Sequence, residues 1–91
     1  MPTMQPTDAI WTEREYEQLD HLIDLLTGLW MNEKASRIRL LAWRKAMAPC
    51  QPSLALSYLE DCIYDGLIMP NPRQVRKAVD DVVQIRRHCG L

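Results

Sequence analysis

Apolar residues recur along the chain at intervals of three and four, the spacing of a helix with one buried face, and no segment reads convincingly as a strand. In "TEREYEQLDHLIDLLTGLWM", Thr12 and Glu15 stand at capping-box spacing, and Tyr16, Leu19, Leu22, Ile23, Leu26, Leu29 and Trp30 share one side. This predicts an amphipathic helix of about five turns. A second helix is expected from near Glu33 to Met47, capped by Asn32, with Ile38, Leu41, Ala42 and Met47 toward the core and the arginines opposite. The break "APCQP" ends it. Pro52 and Ser53 open a third helix carrying Ala55, Leu59, Cys62 and Ile63, which stops at Gly66. In "GLIMPNPRQVRKAVDD", Asn71 is a good N-cap, Pro72 suits the first helical position and Gln74 can reach back to the cap. A fourth helix follows through Val75, Ala78, Val79, Val82 and Ile85 and ends near Gly90.

Connections of about two to six residues favour neighbours that run antiparallel. The expected fold is all-α, a compact bundle or orthogonal array of about four helices. One domain is expected over residues 11–91, preceded by a loose arm over residues 1–10 with Pro2 and Pro6. Ninety-one residues hold a single core with a net stability of about 5–10 kcal/mol. Apolar residues at 47% and charged ones at 25% describe a folded chain rather than a disordered one.

No run of about 18 apolar residues is present, and "MPTMQPTDAI" has neither the basic start nor the apolar middle of a secretion signal. A soluble, cytoplasmic protein is expected. Cys50, Cys62 and Cys89 are odd in number and widely spaced, which fits reduced thiols packed as small hydrophobes.

The net charge of −1 hides an alternation. Residues 1–33 carry seven acids against Arg14, residues 34–47 carry five bases and no acid, residues 48–66 come to −3 and residues 67–91 to +3. The simplest expectation is that neighbouring helices complement one another's charges.

Catalytic chemistry finds little support. His21 and His88 lie at opposite ends of the chain without partners at ligand spacing, so no metal is expected. Glu60 and Asp61 are adjacent on a helix and diverge, and there is no glycine-rich phosphate loop, nucleophile elbow or Ser/His/Asp order. The chain is read as a non-enzyme without cofactor. Trp30 and Trp43 read as core residues, whereas Trp11 fits either a hydrophobic staple or an exposed aromatic anchor for a partner.

Across residues 43–79, Trp43 and Met47 lie on one helix, Leu54 to Ile63 on the next, and Met69, Pro70 and Pro72 form a turn leading to Val75. This order resembles the small phage helicase loaders and helicase inhibitors, where a Trp-x-x-x-Leu/Met helix, an amphipathic helix and a proline-bracketed turn follow one another. Met69 stands where that family commonly has an aromatic. The resemblance implies an all-helical domain that binds a replicative helicase, blocking it or delivering it to an origin complex.

Two other readings stay open. Residues 58–88 can form a helix-turn-helix whose second helix carries Arg73, Arg76 and Lys77 toward DNA, although Asp80 and Asp81 follow on that helix. A small phage or plasmid protein that inhibits another host machine by surface occlusion fits almost as well as the helicase reading. For a protein partner, the expected contact residues are Ile68, Met69, Arg73, Arg76 and Lys77, with Trp11 as a further anchor.

Overall fold

Four helices are found among the described residues: α1 (Glu13–Met31), α2 (Arg37–Met47), α3 (Pro52–Asp65) and α4 (Pro72–His88). The computed structural model describes residues 11–66 and 69–88, among which there is no strand. The fold is all-α, as the periodicity predicts. The expected arm over residues 1–10, together with Ile68, Cys89 and Gly90, lies outside the described residues.

Local chemistry sets the helix ends. Thr12 accepts the Glu15 backbone N–H at 3.2 Å, and the Glu15 carboxylate accepts the Thr12 N–H at 2.9 Å, completing the capping box. One residue earlier, Trp11 stacks on Tyr16 with ring centroids 5.0 Å apart and an interplanar angle of 15°, which is the staple that fixes the chain's entry into α1.

At the other end of α1, Asn32 adopts the left-handed conformation (φ 56°) and its N–H bonds the Gly28 carbonyl at 3.1 Å. Asn32 is therefore the C-cap of α1, not the N-cap expected for α2. One residue cannot be left-handed and extended at once. Ser36 caps α2 instead, its hydroxyl accepting the Arg39 N–H at 3.1 Å, and the Asp24 carboxylate holds the connection by accepting the Ala35 N–H at 2.9 Å. Gly66 closes α3 in the left-handed region (φ 62°) as expected.

The box at α4 also forms: the Asn71 side chain accepts the Gln74 N–H at 3.0 Å, and the Gln74 side chain accepts the Asn71 N–H at 2.9 Å. Asn71→Ala should lower the unfolding free energy by about 1 kcal/mol, seen as a shifted urea midpoint with an unchanged slope. An unchanged midpoint would mean that Pro72 alone sets this helix start.

Helix α1 packs on α2 and α3, and α4 packs on α3 and α2. The core between them is Leu19, Leu22, Ile23 and Leu26 of α1, Trp43 and Met47 of α2, Ala55, Leu56 and Leu59 of α3, and Val75 and Val79 of α4. Thr27 is buried too, but its hydroxyl donates to the Ile23 carbonyl at 2.7 Å, so no side-chain polar atom among the described core residues lacks a partner. The body measures 43 × 35 × 19 Å, hardly two helix diameters in its thin direction. A slab of that thickness cannot cover every apolar position.

Helix α2 shows the consequence. Trp43 and Met47 face inward, while Ile38 and Leu41, expected in the core, are 81% and 56% exposed. The helix turns to bury its indole, the larger apolar area, and to lay Arg44 against α1. There the Arg44 guanidinium donates to Asp20 at 3.0 and 2.6 Å, lies 3.7 Å from Glu13 and sits 5.1 Å from the centroid of the Tyr16 ring. The hydrogen bonds to Asp20 raise the Arg44 pKa further above its usual value. The complementarity expected between neighbouring helices thus exists between α1 and α2. Between α3 and α4 no ion pair is found among the described residues. Leu29 and Trp30, also expected in the core, are exposed where α1 runs beyond it, as are Val82 and Ile85 on α4.

Candidate functional site

The Trp11 indole N–H donates to the carbonyls of Met47 (3.0 Å) and Cys50 (2.9 Å), placing the start of α1 beside the end of α2 and the start of α3. At the opposite end, the turn before α4 lies against the first half of α2. Met31, Arg39, Ala42, Trp43, Met69, Pro70, Asn71 and Pro72 together line a groove of about 360 Å³. Helices α2 and α4 therefore start at the same end of the molecule and run in the same sense.

Each part of this site has a local cause. Pro70 is buried and Met69 half-buried, so the two prolines around Asn71 do more than shape a turn: they dock it. Met31, 44% exposed, lines the groove, and the Arg39 guanidinium reaches its sulfur at 3.0 Å. The walls are thus two thioethers, an indole and proline rings, an adaptable apolar lining.

Around that lining the charge is positive. Neither α2 nor α4 has an acid in its first turn, where acids would complement the helix dipole; α1, by contrast, has Glu13 and Glu15 there. Arg37 and Arg39 stand at the start of α2, and Arg73, Arg76 and Lys77 at the start of α4. The last three are exposed, and the ion pairs of the described residues all involve Arg44 instead. The positive dipole ends of two helices thus lie near each other, with five cations carried on the first two turns of those helices, a poor arrangement for stability and a good one for holding an anion.

The structure brings Met69 into the groove; Arg73, Arg76 and Lys77 are exposed on the first two turns of the helix that follows, none of them among the residues that line it, and Ile68 lies outside the described residues. Trp11 is not there. It is 6% exposed, and its N–H is committed to two carbonyls, so the reading of Trp11 as an exposed anchor is corrected to that of a core staple. Sequence reasoning missed Met31, Arg39 and Trp43 as groove residues. The signal was the pair of bases directly after Ser36, the mirror of the bases after Asn71.

The remaining chemistry is quiet. Among the described residues no group of three His, Cys, Asp or Glu side chains could hold a metal, and no helix is long and apolar enough to cross a membrane. Burial pushes the thiols of Cys50 and Cys62 up from their ordinary pKa, with nearby aspartates adding to the effect, so both are poorer nucleophiles than a free cysteine. Compared with protein-family models, curated proteins and solved structures, the chain matches none.

Proposed function

We propose that the chain is a non-enzymatic protein-binding module that receives an acidic, apolar-tipped segment of its partner in the groove between α2 and the Met69–Pro72 turn. The observation that carries this reading is the convergence of an apolar groove with the positive ends of two helices, neither of which has an acid in its first turn. The resemblance to helicase loaders and inhibitors adds a partner, a replicative helicase in the cytoplasm that the protein loads or blocks. Prolines on both sides of Asn71 hold the turn in one geometry before the partner arrives, which reduces the ordering cost of binding. Charge speeds the encounter, and the contacts of Met31 and Met69 slow dissociation.

Titration of purified hexameric replicative helicase against the protein tests this directly. Arg73→Glu with Arg76→Glu should weaken binding by about 100-fold, because it sets like charges against the partner's acids. Both side chains are exposed, so the helical spectrum and unfolding midpoint should stay nearly unchanged. Binding that survives the double reversal would place the interface elsewhere. Saturable, sequence-selective duplex binding near physiological salt, with a steep salt dependence, would favour the helix-turn-helix reading of α3 and α4 instead.

A further inference from the structure

Two other surfaces of the molecule are apolar, charged and unmatched within their own chain. The first is the outer face of α2. Ile38 and Leu41 stand out from it, Lys45 is one turn further along, and Arg37 adjoins Ile38, making an apolar ridge with a basic border. The second is the seam between α3 and α4, where Leu54, Tyr58, Ala78 and Val82 line a groove of about 160 Å³ that also includes Asp61. Ile85, 61% exposed, continues the groove along α4. Asp65 follows Asp61 by one turn on α3, and Asp81 falls between Ala78 and Ile85 on the same side of α4. No ion pair joins these acids to a base among the described residues.

We propose that the ridge of α2 in one copy seats in the α3–α4 groove of a second copy. Ile38 and Leu41 would pack against Tyr58, Val82 and Ile85 as a helix packs into a groove, with Arg37 and Lys45 meeting Asp61, Asp65 and Asp81. The signs match: the border of the ridge is basic, while Asp61 lines the groove and Asp65 and Asp81 lie on its two helices. Ridge and groove are different surfaces, so the contact is heterologous. Each pairing leaves a free groove on one copy and a free ridge on the other, and assembly proceeds past the dimer or closes into a ring. The contact uses neither Met69 nor the bases of α4, and shares only Arg37 with the partner site proposed above.

Sedimentation equilibrium of the full chain at concentrations up to about 1 mM tests it, since a 1 mM dissociation constant marks the weak end of useful self-association. The wild type should gain mass with concentration and lose it with added salt. Ile38→Glu with Leu41→Glu destroys the ridge, and Val82→Glu with Ile85→Glu destroys the groove. Each double variant alone should associate about 100-fold more weakly while keeping a wild-type helical spectrum. Mixed in equal amounts, the two variants should form a dimer and nothing larger, because only one intact ridge and one intact groove remain in the pair. A wild type that stays monomeric overturns the proposal and leaves the groove to a basic helix of another protein. So does either variant self-associating like the wild type, or a mixture that fails to pair.

Discussion

Replacing Trp11 with alanine should lower the unfolding free energy by about 3–5 kcal/mol, a large share of the total expected for a chain of this size. Three losses combine. The indole is almost wholly buried, so its removal opens a cavity where α1 begins. Its stacking partner Tyr16 loses one face, and Tyr16 in turn backs the Arg44 guanidinium that bonds Asp20. The indole N–H also ties down the Met47 and Cys50 carbonyls, which belong to the connection between α2 and α3. Trp11→Phe separates the contributions. It keeps most of the ring contact, and Met47 O still accepts the Cys50 N–H at 2.8 Å, so what is lost is chiefly the indole bond to Cys50 O. That should cost about 1–3 kcal/mol. Urea unfolding of both variants gives the comparison. If alanine cost no more than phenylalanine, the ring's packing would contribute nothing, and the staple would act through its hydrogen bonds alone.

The contrast between Trp11 and Trp30 shows how far a sequence can be read. Caps were legible, because a cap is decided within four residues: Thr12 with Glu15 and Asn71 with Gln74 both bond as their spacing requires. Asn32 was misassigned for the same local reason, since Asn serves both the left-handed end of one helix and the extended start of another. Only the competing Ser36 decides which. Burial was less legible because it depends on what lies across the helix. Periodicity places Trp30 on the face of Ile23 and Leu26, but α1 outlasts the core there and the ring is half-exposed.

The candidate site was half-legible in the same way. Met69 and the bases of α4 follow one another in sequence and could be read as a unit. Met31, Arg39 and Trp43 join them only because α2 runs beside α4 in the same sense, a tertiary fact that no local spacing encodes. Ile38 and Leu41 were misplaced by the choice of inward face: both the Ile38 stripe and the Trp43–Met47 stripe have helical spacing, and the heavier stripe turned inward.

Leu25 and Leu26 put that distinction to a direct test within one dipeptide. Leu26 is fully buried beside Leu22 and Ile23 on the inward face of α1, whereas Leu25 is 46% exposed one step around the helix. Leucine and alanine differ little in helix propensity, so Leu→Ala at either position reports burial almost alone. Leu26→Ala should cost about 2–5 kcal/mol, the transfer of the lost side chain plus the cavity left among helices that cannot fully close on it. Leu25→Ala should stay within about 0.5 kcal/mol of the wild type. The double variant should match the sum, because the two side chains point away from each other. A similar loss at both positions, measured by the same urea titration, would mean that the exposed edge of α1 is covered in solution, as it would be if Leu25 and Leu29 lay under another chain.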